Sequence, residues 1–148
     1  NLISFIVYGK AEPGGSKRAF NRKGGGRPIV TDANAKAAGW KQEIKAAARA
    51  HYSGLPFHGP LFVTVTFYRQ RLKSHFDKNG KLKDKSRDEL PITKPDTTKL
   101  MRPLEDALTG ILWLDDAQIC GQLLTKRYGD KPGAHVIVQT YEEYLANE

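Results

Sequence analysis

"PLFVTVTFYRQ", residues Pro60 to Gln70, alternates without a break. Leu61, Val63, Val65 and Phe67 fall on one face, and Phe62, Thr64, Thr66 and Tyr68 on the other. A period of two in β-branched and aromatic residues predicts a β-strand with one face on a hydrophobic core. Something apolar must cover that face, and amphipathic helices in the flanking sequence can supply it.

Upstream, Trp40, Ile44, Ala47, Ala48 and His51 recur at helical spacing. Thr31 or Asp32 can cap a helix that runs to about His51. Its outer face carries Lys36, Lys41, Lys45 and Arg49, and Gly39 is a local weakness or a close-packing point. Leu2 to Tyr8 reads as another strand. Between them lies "GKAEPGGSKRAFNRKGGGRP", residues 9–28, expected as a flexible basic loop. Lys17, Arg18, Arg22, Lys23 and Arg27 surround Phe20, which suits phosphate contact with base stacking. The plainer alternative is a solvated loop whose Phe20 packs on the core.

Downstream, residues 69–93 turn polar and basic, with Arg69, Arg71 and Lys73 leading. "DKNGKLKDK" can close a tight turn at Asn79-Gly80. An exposed, flexible basic arm is expected. A helix follows from about Thr98 to Leu108, with Leu100, Met101, Leu104, Ala107 and Leu108 as its apolar stripe and Gly110 as its stop. Pro103 either kinks this helix or is its true first residue. Ile119–Tyr128 and His135–Tyr141 read as two further strands, paired through the turn "GDKPGA". "EEYLANE" is an acidic tail with room for a short helical turn.

The whole composition bounds the answer. At 148 residues the chain suits a single domain, 1–148, and its 39% hydrophobic and 27% charged residues are ordinary for a soluble protein. No apolar run is long enough for a bilayer, so no membrane partner is expected. The opening "NLISFIVYG" lacks signal-peptide features, and without an initiating Met the true start is expected to be trimmed. One cysteine, Cys120, excludes an internal disulfide and suits a cytoplasmic setting. The four histidines show no ligand spacing, which argues against structural zinc. A net charge of +8 favours nucleic acid as partner.

Against that basic background, Asp96, Glu105, Asp106, Asp115 and Asp116 gather in one segment. Thr98, Arg102 and Glu105 share the helix stripe opposite the apolar one, and "ILWL" carries the chain back to Asp115-Asp116. A helix and return of this length can bring Asp96 and Asp115-Asp116 to one side of the sheet. Hard cations such as Mg²⁺ take carboxylate, water and phosphate oxygens. A bound cation would relieve the mutual repulsion and supply a Lewis acid for phosphodiester hydrolysis, with Arg102 stabilising charge on the phosphate. The alternative is a solvated face, with Arg102, Glu105 and Asp106 as an ion-pair set and Asp115-Asp116 as turn residues.

The segment "KPDTTKLMRPLEDALTGILWLDDAQI", followed by "KRYGDKPGA", resembles the RusA family of Holliday junction resolvases, typical of phages and prophages. The resemblance spans roughly Lys94 to Val138, with a looser match before it. It implies a small homodimer that binds four-way DNA junctions and makes paired nicks with Mg²⁺. Asp96 matches the family's first essential aspartate, Asp116 its last, and Arg102 the assisting lysine. Thr98 stands where a second aspartate is usual. Glu105, seven residues on and on the same helix face, is expected to replace it.

These readings converge on an α+β fold: one domain, a mixed sheet of about four strands and two main helices in the order β-α-β-α-β-β. The expected metal ligands are Asp96, Glu105 and Asp116, with Asp115 behind or in place of one of them. The expected activity is a structure-selective endonuclease for branched DNA. The rival is a DNA-binding protein that keeps the fold and has lost catalysis. A basic RNA-binding module is weaker, because no stacked-aromatic RNA motif is present.

Overall fold

The structure, a computed structural model, describes residues 2–14, 17–20, 24–26, 29–32 and 35–148, with the backbone alone at 17–20 and 29–32. The elements run β1 (Leu2–Tyr8), β2 (Lys17–Phe20), β3 (Ile29–Asp32), α1 (Ala37–His51), β4 (Leu61–Gln70), α2 (Thr97–Leu108), β5 (Ile119–Gly129), β6 (Gly133–Thr140) and α3 (Tyr141–Ala146). A four-stranded mixed sheet has the order β1-β6-β4-β5. β6 is antiparallel to both neighbours, while β4 and β5 run parallel. A parallel pair needs a long crossover, which residues 71–118 supply with α2 inside it.

β4 behaves as its alternation predicts. Leu61, Val63, Val65 and Phe67 are fully buried beneath α1 and α2. From α1 come Trp40, Ile44 and Ala48; from α2 come Leu100, Met101, Leu104, Ala107 and Leu108. Leu112 and Trp113 close the core beyond α2. On the opposite face, α3 lays Tyr144 flat on Phe62, with ring centroids 3.6 Å apart and planes 3° from parallel.

Three expectations are corrected. Thr31 and Asp32 do not cap α1; they lie in β3, which pairs antiparallel with β2. A hairpin therefore interrupts the segment expected as a loop. His51 ends α1 as expected but is exposed, stacked near Phe5. The last two strands do not pair with each other: β6 inserts between β1 and β4, and β5 takes the sheet edge. The burial patterns give the reason. β6 buries Ala134, Val136 and Val138 and needs neighbours on both sides, whereas β5 has no fully buried position.

Pro103 sits inside α2 and neither starts nor breaks it. A proline offers no N–H to the carbonyl four residues back, that of Lys99. The Gly14 N–H bonds that carbonyl instead, at 2.9 Å. A Cβ on Gly14 would come within 2.8 Å of Pro103 Cγ, so the chain after β1 docks here only as glycine.

Candidate active site

α2 carries the candidate residues on its outward face, and each end of it is held by a different device. At the start, Asp96 occupies the capping position with extended backbone (φ −76°, ψ 159°). Its side chain does not cap. Its Oδ2 accepts a hydrogen bond from the Thr98 hydroxyl at 3.2 Å. The preceding loop, which contains the cis Lys94–Pro95 bond, is fastened from below. The Lys126 ammonium on β5 donates to the carbonyls of Thr93 (2.8 Å) and Pro95 (3.0 Å). Lys126 pairs with Phe67 in the parallel register and so lies on the helix-bearing face.

At the other end, Glu105 is half-buried beside Asp116. Burial raises its carboxyl above the ordinary range, the charges of Asp116 and Asp106 push it further, and Arg102 opposes them. The Thr109 hydroxyl donates to the Glu105 carbonyl at 2.8 Å and accepts from the Trp113 indole at 3.0 Å. Gly110, at φ +93°, turns the chain where a side chain would be strained. Thr109, Gly110 and Trp113 of the "DALTG…W" stretch thus lock the return from α2 to the core.

Asp115 and Asp116 open a short 3₁₀ turn, Asp116–Gln118. Asp115 Oδ1 accepts the Ala117 N–H at 2.9 Å and caps that turn. Gln118 clamps the loop from inside. Its Oε1 accepts the N–H groups of Leu114 (2.9 Å) and Asp115 (3.1 Å), and its Nε2 donates to the carbonyls of Phe57 (2.9 Å) and Gly59 (3.1 Å). Four bonds from one amide fix the loop that presents Asp116.

The ion-pair set expected as the alternative is not the one formed. Asp106 pairs with Lys41 of α1 at 3.3 Å. Among the described residues, no group of three His, Cys, Asp or Glu side chains is arranged to hold a metal unaided. The donor chemistry still fits Mg²⁺. That ion is commonly held by one or two carboxylates, with water and substrate phosphate completing its shell. Glu105 and Asp116 are the two carboxylates that could supply such ligands: burial, and after it the Asp116 charge, disfavour the Glu105 carboxylate, and a cation would favour it.

The basic residues divide. Arg69 Nη1 donates to the Ala11 carbonyl at 2.9 Å; burial lowers its pKa and the Glu12 charge opposes that. Arg71 bonds the carbonyls of Ser86 (3.0 Å) and Arg87 (3.3 Å) and lies over the Tyr128 ring. Residues 71–90 are therefore fastened to the body: His75 is buried, edge-on to Tyr128, and paired with Glu89 at 3.1 Å. The Asn79-Gly80 turn forms as expected, braced by Asp77, whose Oδ1 accepts from the N–H groups of Asn79 and Lys81. Lys73 is exposed. Lys17 and Arg18 lie in β2, and their side chains are outside the description; Arg22, Lys23 and Arg27 fall outside the described residues.

Sequence reasoning missed Lys126 and Gln118 as positioning residues. Gln118 carried a signal, since it stands inside "DDAQI". Lys126 carried none, because its partners are backbone carbonyls some thirty residues away.

The model of the family Endodeoxyribonuclease RusA matches residues 10–139. The chain belongs to the RusA family. Among curated proteins, it is 30% identical over 141 residues to Uncharacterized protein YqaN of Bacillus subtilis (strain 168), covering 94% of this chain and 96% of that one. The RusA match takes in every element from β2 to β6, so the fold, both ends of α2 and the "DDAQI" loop all lie within it.

Proposed function

We propose that this RusA-family chain is a Mg²⁺-dependent, structure-selective DNA endonuclease that resolves four-way junctions by paired nicks as a homodimer. The observation that carries the reading is a half-buried Glu105 on α2 that feels the charge of Asp116 from a separate element, within a chain of the RusA family. Bound there, Mg²⁺ would neutralise the carboxylates and supply a Lewis acid for the phosphodiester. Glu105 and Asp116 would hold it, with water and substrate phosphate completing its shell. Asp96, at the far end of α2, would face the strand further along, Asp115 would aim Asp116, and Arg102 would meet charge growing on the phosphate. Thr98 keeps Asp96 oriented, and Glu105 takes the place of the missing acid. A basic surface would hold the DNA backbone. The twofold assembly suits a junction that needs two matched cuts. The exposed Leu2, Ile6, Tyr8 and Leu123 on the outer sheet face support pairing, as apolar area available for burial.

One observation favours a second reading, the inactive DNA binder: a hydroxyl meets Asp96 where the family usually has a second carboxylate. Incubation with a synthetic four-way junction, with and without Mg²⁺, separates the two. Paired nicks that need Mg²⁺ are expected. A chain that binds the junction, shows no heat of Mg²⁺ binding and cuts no branched DNA is the inactive binder.

A further inference from the structure

Beside the start of α2 lies a cavity of about 370 Å³ that the carboxylate site does not use. Lys10, Arg69 and Lys94 line it, together with Leu72, Pro91 and Tyr128. Three cations line it, and the charge of Glu12 acts on Arg69. Tyr128 is held in place, with Arg71 over its ring at 5.8 Å and His75 edge-on at 4.6 Å. The cavity adjoins the Asp96 end of α2. Lys94 precedes Asp96 by two residues, at most about 7 Å along the chain. Thr93, also in its wall, is bonded by the same Lys126 that fastens Pro95.

We propose that this cavity binds a single unstacked nucleotide of the DNA strand whose phosphodiester lies at Asp96, with phosphate on Lys10 and Lys94 and the base against Tyr128. The inference rests on the nuclease reading and names part of its substrate. The cations select an anion, and the apolar and aromatic wall adds an appetite for a flat ring. The size decides between one nucleotide and a helix: the volume suits one small ligand and is far too small for a duplex. Drawing a base from an intact stack costs several kcal/mol, and least where pairing is already broken. A pocket of this kind therefore favours branch points and unpaired sites over continuous duplex.

The test uses thymidine 3′,5′-bisphosphate as probe, titrated without metal and followed by protein NMR shifts and calorimetry. Deoxyribose 3′,5′-bisphosphate, lacking the base, is the control. Wild type should bind the nucleotide with shifts at Lys94 and Tyr128, and the control more weakly. Lys10→Ala and Lys94→Ala, both at exposed positions, should each weaken binding about tenfold, the worth of a charge-assisted contact. Unchanged melting temperatures would confirm that both variants fold. Equal affinity for the nucleotide and the baseless control overturns the base pocket. Equal affinity of wild type and both variants overturns the phosphate assignment. A junction cut normally by a protein that ignores the probe removes the pocket and leaves the nuclease reading standing. Probe binding by a protein that cuts nothing removes the nuclease reading and leaves the pocket.

Discussion

The two ends of α2 hold their carboxylates in opposite ways. Asp96 is exposed, steadied by one hydroxyl, and its loop is fixed only through backbone carbonyls on Lys126. Glu105 is half-buried against another acid, and the facing loop is clamped by four hydrogen bonds from Gln118. At the second end burial and like charges act together on Glu105, and the loop that carries Asp116 is fixed by hydrogen bonds. The same helix therefore carries one carboxylate open to solvent and one held in a partly desolvated, like-charged setting.

The sharpest way to break this comparison is to remove the acids. Asp116→Asn and Glu105→Gln should each lower Mg²⁺-dependent junction cleavage by about a hundredfold or more, with junction binding kept. Asp96→Asn should do the same if the first end contributes a ligand. Thr98→Asp placed in the Glu105→Gln background should restore part of the activity. Cleavage by Glu105→Gln at the wild-type rate would show that the second end is not the substitute.

Gln118→Ala comes next. It strips the bonds to Leu114, Asp115, Phe57 and Gly59, so the loop before Asp116 loses its ties to residues 57–59. A loss of about 1–3 kcal/mol in denaturant unfolding is expected, with cleavage down about tenfold to a hundredfold. An unaltered unfolding midpoint would mean that the clamp is incidental.

Stability against pH probes the stress directly. Glu105 has a raised folded-state pKa, so in the interval between its unfolded and folded values the native protein binds more protons than the unfolded one. Native stability contributed by this group is therefore fully present below the unfolded value and is lost as pH rises through the folded one. Metal-free Glu105→Gln should accordingly melt higher than wild type at neutral pH, with the gap closing in acid. Mg²⁺ should raise the melting temperature of wild type more than that of the variant. Identical melting curves across the range would remove the stress from the account.

The smallest effect is expected at the first end. Lys126→Met keeps the length of the side chain but frees the carbonyls of Thr93 and Pro95. Cleavage should fall several-fold, toward the lower bound of about tenfold seen when positioning contacts are lost, while junction affinity stays close to wild type. A large loss of affinity would instead assign Lys126 to the DNA.

Much was legible because it is written in periodicity. The alternation of residues 61–68 matches the buried face of β4 position by position, and the stripe Leu100, Met101, Leu104, Ala107 and Leu108 is the buried face of α2. Both rest on contacts between near neighbours in sequence, which repeat with the element. The β2–β3 hairpin was hidden because glycines and basic residues mask its pattern. The place of Arg71 was hidden because nothing local shows that a guanidinium will turn to carbonyls fifteen residues away.

The sequence by itself determined the α+β class, the two amphipathic helices, the clearest strand and the carboxylate segment with its missing acid at Thr98. These follow from side-chain spacing and chemical type, which the chain carries at every point. Only the tertiary structure decided that β6 lies between β1 and β4, that Gly14 serves the carbonyl Pro103 leaves unbonded, and that the charge of Asp116 reaches Glu105. Each depends on groups distant along the chain being brought together by the fold. There the partner of a backbone carbonyl or a carboxylate is set by packing, and spacing along the chain carries no record of it.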